Sequence, residues 1–126
     1  MTDRLIIRDL VASCRIGVHE WERATPQQVW IDLEVAIDAA KAAAHDDMRD
    51  ALDYGRLVTV VTQHVERWSF HLLETFAEEL AALILATFAV PEVRVRIKKR
   101  ALPGIDHAAV EIVRTAATAR PAAPRA

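Results

Sequence analysis

Chemistry in this sequence has to be found among a few charged side chains that break otherwise regular patterns. After Pro91 the apolar residues alternate, with Val93, Val95 and Ile97 on one face of a strand and Arg94, Arg96 and Lys98 on the other. Strand parity puts Lys99 on the apolar face. A lysine that ends an apolar row is either a snorkelling cation at the sheet rim or a partly desolvated amine whose pKa falls toward the range useful to a general acid or base. Glu74 raises a similar question, between Leu73 and Phe76 in the first turn of a helix. It is either an acid placed well near a helix N-terminus or a carboxylate that accepts two parallel N–H donors from a guanidine-like ligand edge. Glu22 in a loop and Tyr54 at a helix start carry suitable groups, but spacing alone does not bring them together.

Other candidate motifs carry less. Asp46, Asp47 and Asp50 spell DDMRD, the DDxxD spacing that holds magnesium in some isoprenoid enzymes, but those need a large helical bundle and this chain offers two main helices. A solvated acidic turn is expected instead. His19, His45, His64, His71 and His107 form no compact ligand pair, so no metal site is expected. Gly17, Gly55 and Gly104 are isolated, which excludes a glycine-rich phosphate loop. The basic run Arg94, Arg96, Lys98, Lys99, Arg100 has no interleaved aromatic residues for base stacking and reads as a solvated strand face.

The elements that must position these groups follow from periodicity. A long first strand is expected over Arg4 to Val18, then an ordered loop GVHEWERATPQQ, then a half-buried strand from Gln28 with Val29, Ile31, Leu33, Val35 and Ile37 on one face and Trp30, Asp32, Glu34 and Ala36 on the other. The Ala-rich, then acidic, stretch from Asp38 to Asp53 suggests a short helical turn. Leu57, Val58, Val61, Val65 and Trp68 predict a helix over Tyr54 to Trp68, with Asp53 as N-cap. Leu73, Phe76, Ala77, Leu80, Ile84 and Phe88 predict a second, from about His71 to Phe88, ended by Pro91. The LPG turn at Leu102 to Gly104 leads to a last strand over about Ala108 to Arg114. Two hairpins with two main helices on one face of a four-stranded antiparallel sheet (ββααββ) make an α+β protein.

Composition sets the bounds. At 126 residues, with 16 Lys+Arg against 18 Asp+Glu for a net charge of −2, the chain is one domain and no dedicated nucleic-acid binder. A single domain is expected over 1–115 and a structureless tail over 116–126. One cysteine, Cys14, allows no intrachain disulfide and suits a reducing compartment. No apolar stretch approaches the ~20 residues of a membrane span and MTDRLIIRDL lacks an apolar signal core, so no membrane contact and a cytoplasmic location are expected.

The segments IGVHEWER with Gln27, DDMRDALDY, FHLLETFAEEL, VRVRIKK and VEIVR, in this order and spacing, resemble dihydroneopterin aldolase from Asp3 to Arg114. The resemblance implies the tunnelling fold, whose subunits assemble into ring-shaped barrels, here a homo-oligomeric tetramer or octamer. It implies that Glu22, Tyr54 and Lys99 are catalytic, that Leu73 and Glu74 anchor the pterin with Tyr54 and Glu22 also at the substrate, and that Tyr54 and Glu74 come to one pocket from neighbouring subunits. The family's lysine-proline step is Lys99-Arg100 here, which leaves Lys98 as a competitor for the catalytic amine. DALDY, QHVE and the alanine-leucine pair after the lysine also resemble the related dihydroneopterin triphosphate 2′-epimerase.

The implied reaction is a retro-aldol cleavage of 7,8-dihydroneopterin that uses no cofactor, in folate or related pterin biosynthesis. A non-catalytic pterin-binding or structural role on the same fold is the alternative of another class. The resemblance further implies that the second and third strands are the sheet edges; the acidic face of the second, Asp32 and Glu34, and the basic face of the third, Arg94, Arg96 and Lys98, are then expected to pair between subunits and close the ring head to tail.

Overall fold

The computed structural model describes residues 3–100 and 102–119. Five strands and four α-helices follow in the order β1 (Asp3–Ile16), α1 (Glu20–Arg23), β2 (Gln27–Ile37), α2 (Ala39–His45), α3 (Tyr54–Val65), β3 (Ser69–Phe70), α4 (Leu73–Thr87), β4 (Glu92–Lys99) and β5 (Ala108–Thr115), with a short 3₁₀ turn at Met48–Asp50 before α3. The sheet order is β3-β1-β2-β4-β5. β1 with β2, β2 with β4 and β4 with β5 are antiparallel, while the two-residue β3 runs parallel to the end of β1. The α+β class with α3 and α4 on one sheet face stands, with a fifth, minimal strand added.

β1 carries the main irregularity. Ile7 pairs with Leu33 and Leu10 with Ile31, so one extra residue sits on β1, where Asp9 adopts a left-handed backbone (φ 54°). The bulge switches parity: Leu5 and Ile7 pack against the core before it, Ala12, Cys14 and Ile16 after it. β2 and β4 keep strict period two, burying Val29, Ile31, Leu33 and Val35 from one and Val93, Val95 and Ile97 from the other. From the helices, Leu57, Val61 and Val65 of α3 and Phe76, Leu80 and Ile84 of α4 complete this core.

Both helices are shorter than their periodicity suggests. α3 ends at Val65 because the chain turns to join the sheet, where Trp68 O accepts a hydrogen bond from Arg15 N and Phe70 O one from Gly17 N, each at 3.1 Å. Trp68, Phe70 and Phe76 then pack ring against ring, with centroids 5.4–6.1 Å apart. The loop after β1 contains the one-turn helix α1, and the Ala-rich stretch forms α2. Asp47 caps the following 3₁₀ turn and pairs with Arg49. Residues 116–119 form a turn in which Thr118 N and Ala119 N donate to Thr115 O. The rest of the expected structureless tail, 120–126, lies outside the described residues.

The expected edges are corrected by the sheet order. β2 and β4 are neighbours within the subunit, with Asp32 opposite Arg96 and Glu34 opposite Arg94. Their complementary charges are used inside one chain: Arg96 and Lys98 face Asp32, and Arg4 and Arg8 reach Glu34 from β1. Asp32 is only 3% exposed, not a free outer-face acid.

Candidate active site

Three core-facing rows reach the same end of the sheet. β1 brings Ile16, β2 starts with Gln27, and β4 finishes with Lys99. Lys99 is 7% exposed, and a buried ammonium is tolerated only with good acceptors. It has two: its Nζ donates to Ile16 O at 3.2 Å and to Glu22 Oε2 at 3.1 Å. Cys14, buried on the same face of β1 as Ile16, has its thiol pushed up to about 12 by burial, against the opposing pull of the Lys99 charge.

Glu22 comes from α1, in the tight loop that leaves β1. A Cβ on Gly17 would lie 2.3 Å from Glu22 Cβ and 2.9 Å from Glu22 Oε2, so glycine is what lets the acid fold back toward β4. The Glu22 carboxyl is held below the usual glutamate value, first by the His19 N–H donated to Oε1 at 3.1 Å and then by Lys99. Arg23 Nη1 donates to Gly17 O at 2.7 Å and Val18 O at 3.0 Å, and Arg15 Nη1 donates to Arg23 O at 3.0 Å. Gln27 Nε2 donates to Ile16 O at 3.1 Å and Glu22 O at 2.7 Å. At the loop's outer face, the Trp21 ring stacks on His19 and is 74% exposed.

Leu73 and Glu74 open α4 just after β3, which is bonded to the Gly17 end of β1, so they stand at the same end of the sheet as Lys99. Glu74 is exposed in the first turn, where unpaired helix N–H groups favour an anion. Tyr54 is placed elsewhere. It starts α3, whose far end leads to Trp68 beside β1's last residues, so α3 spans the sheet and holds Tyr54 at the opposite end. A cleft of about 720 Å³ lies there, lined by Leu5, Ile37, Asp53, Arg56, Phe88 and Pro91. This cleft does not include Lys99.

Lys98, the competing amine, points to the other face of β4. It pairs with Asp9 and, at 3.0 Å, with Asp32. Burial opposes its charge, but hydrogen bonds to the two carboxylates outweigh that and hold its pKa above the ordinary lysine value.

The family model for dihydroneopterin aldolase (FolB) matches residues 5–113, nearly all of this fold and all of its candidate site. The chain belongs to the dihydroneopterin aldolase family. The dihydroneopterin aldolase of Escherichia coli K12 is 41% identical over 97 residues, covering 77% of this chain and 80% of its own. A crystal structure of the Escherichia coli dihydroneopterin aldolase in complex with neopterin superposes with a TM-score of 0.85 at 39% identity, over 89% of this chain and 98% of that one. A dihydroneopterin triphosphate 2′-epimerase of Pseudomonas aeruginosa is 32% identical over 96 residues, covering 76% of this chain and 78% of its own. The tunnelling fold expected of the family is the fold found. No helix among the described residues is long and apolar enough to cross a membrane.

Sequence parity had the means to find Gln27 as well as Lys99, because Gln27 heads the odd-numbered apolar row of β2. Arg23 and Gly17 carried no signal beyond their place in a loop, and Arg15 none beyond its place near the end of the first strand. Their partners are backbone carbonyls or a side chain, which residue spacing does not reveal.

Proposed function

We propose that the protein is a dihydroneopterin aldolase in which Lys99 is the proton donor and Glu22 its partner. The supporting observation is the buried Lys99 ammonium, paired with Glu22 at the end of an apolar row, in a chain of this family. Retro-aldol cleavage needs an electron sink, and the substrate carries its own in the C6=N5 bond, so no Schiff base on lysine is required. Loss of the 2′-hydroxyl proton turns C2′ into the aldehyde carbon of glycolaldehyde. The C1′–C2′ electrons form C1′=C6, and those of C6=N5 move to N5, where Lys99 delivers a proton directly or through water. Protonation at C1′ with loss of the N5 proton then gives 6-hydroxymethyl-7,8-dihydropterin, and atoms balance without an external reagent.

Glu74 suits the other edge of the ring, because its two oxygens match the 2-amino and N3–H donors, with Leu73 backbone beside it. Tyr54 and Glu22 order proton transfer at the side-chain hydroxyls. With Tyr54 at the far end of the sheet, a site holding all four groups takes Tyr54 from a neighbouring copy, which calls for a homo-oligomeric ring, tetramer or octamer.

The test is incubation of purified protein with 7,8-dihydroneopterin and, separately, its triphosphate. Release of glycolaldehyde with 6-hydroxymethyl-7,8-dihydropterin is expected. The similarity to the Pseudomonas aeruginosa epimerase favours a second reading, in which the same bond breaks and re-forms on the opposite face of C2′. Epimerised triphosphate without glycolaldehyde would establish that reading, and pterin binding without turnover would overturn both in favour of a non-catalytic pterin-binding member of the fold.

A further inference from the structure

An amide at the head of an apolar row has polar atoms that the core cannot leave unpaired. Gln27 occupies that position in β2, the strand between β1 and β4, opposite Cys14 of β1. Its Nε2 carries two N–H donors, and two carbonyls accept them: Ile16 O at the end of β1, at 3.1 Å, and Glu22 O in the loop, at 2.7 Å. Ile16 O also accepts from Lys99 Nζ at 3.2 Å. One amide therefore ties the backbone of Glu22 to the carbonyl that also accepts from Lys99.

We propose that Gln27 is a positioning residue for the Lys99–Glu22 pair. This rests on the aldolase reading for its catalytic consequence but not for its geometry. Besides its own N–H, which donates to His19 O at 3.1 Å within the loop, Glu22 has three tethers: His19 N on one oxygen, Lys99 on the other, and Gln27 on its main-chain carbonyl. The first belongs to the same loop and moves with it, so it cannot fix the loop against β4. The Gln27 bond does, because Gln27 is held in the sheet ladder opposite Cys14. Without it, Arg15 of β1 still holds the end of the segment at Arg23 O, but the main chain of Glu22 itself loses its tie to the sheet, so the Glu22–Lys99 separation is set less tightly and the ammonium is less firmly aimed.

Gln27→Met removes both donors and keeps the length of the side chain. The measurements are kcat and KM with 7,8-dihydroneopterin, the pH profile of kcat, thermal stability, and the rate at which acetic anhydride acetylates Lys99, followed by mass spectrometry of the folded protein. A displaced reactive group of this kind costs roughly 10–100-fold in kcat, and KM is expected to stay within about threefold, because the pterin edge is held elsewhere. Lys99 acetylation should rise severalfold as its partner loosens, and the pH profile should shift. Gln27→Glu is the second variant. Its carboxylate opposes two carbonyl oxygens, but once protonated it donates again, so its activity relative to wild type should recover as pH falls.

Wild-type kcat, pH profile and Lys99 acetylation in Gln27→Met would overturn the proposal. So would a lowered melting temperature with unchanged kcat per folded site, since that describes a residue that only stabilises. Should Gln27→Met not fold, acid recovery in Gln27→Glu decides alone, and its absence counts against the proposal. If the wild-type protein does not turn over dihydroneopterin, the aldolase reading fails while the acetylation comparison still decides the role of Gln27.

Discussion

Lys98 and Lys99 are adjacent in the chain and stand on opposite faces of β4, Lys99 against Glu22 and Lys98 against Asp9 and Asp32. The two cations thus have separate work. Lys99→Ala is expected to abolish turnover while keeping much of the pterin affinity, since the role proposed for the amine is at the charge that develops at N5 and not at the donor edge of the ring. Lys98→Ala should retain turnover and lose some stability. Equilibrium binding and steady-state rates of both variants check this, and a dead Lys98→Ala with an active Lys99→Ala would reverse the assignment.

Asp32 is the structural counterpart of Glu22 on the other face. Burial pushes its carboxyl up, but the Asp9 N–H at 2.8 Å and the Lys98 ammonium push harder, and its pKa lies below the ordinary aspartate value. A carboxylate whose pKa is depressed by folding contributes stability above its unfolded pKa and loses that contribution as pH falls through the folded value. Asp32→Asn is expected to destabilise by about 1.5–3 kcal/mol at neutral pH, the range for hydrogen bonds to charged groups. The difference from wild type should shrink in acid, below the usual carboxylate range, in denaturant melts across pH.

Gly17→Ala tests the loop. Its Cβ would meet Glu22 within 3 Å at three atoms, so the loop must shift and the acid must leave Lys99. Activity should fall much further than stability. An alanine variant with a wild-type rate would show that the Glu22–Lys99 contact is dispensable.

Glu74→Gln replaces one acceptor oxygen with a donor, which in the pterin-anchoring role proposed for Glu74 would face the donors of the ligand. The expected loss of pterin affinity is about 1–3 kcal/mol, the cost of one unsatisfied buried polar group. Titration calorimetry with neopterin measures it, and an unchanged dissociation constant would remove Glu74 from the site.

What the sequence revealed depended on whether a pattern was local. Lys99 was legible because β4 has no bulge, and strict period two carries a residue's face along the strand without knowledge of any partner. β1 was legible as a strand but not in its faces, because the bulge at Asp9 moves the core side from Leu5 and Ile7 to Ala12, Cys14 and Ile16. Charge complementarity between β2 and β4 was real, and its place was misread. Asp32 opposite Arg96 is a pairing within the chain, and strand order depends on how the two hairpins dock, which no residue spacing encodes. The ends of α3 and α4 were set by tertiary contacts as well: apolar spacing continues to Trp68, yet the backbone of Trp68 and Phe70 is taken by β1.

The distance between Tyr54 and Lys99 gives the test of assembly. The eight residues of β4 alone span roughly 23 Å at the usual rise of a strand, and Tyr54 stands beyond its starting end while Lys99 is its last residue. No side chain bridges that length, so a pocket that uses both draws them from different copies. Lys99→Ala chains and Tyr54→Ala chains should each be inactive alone. When mixed, dissociated and reassembled, they should regain activity, because a Lys99 from one can meet a Tyr54 from the other. Random assembly of equal amounts restores both groups at about one site in four, so about a quarter of wild-type activity is expected where each site takes one group from each neighbour. The measurement is the specific activity of the mixture across mixing ratios, with sedimentation to follow ring formation. A mixture as inactive as its components, with rings formed, would place the reacting groups of each site within a single chain and leave Tyr54 outside it.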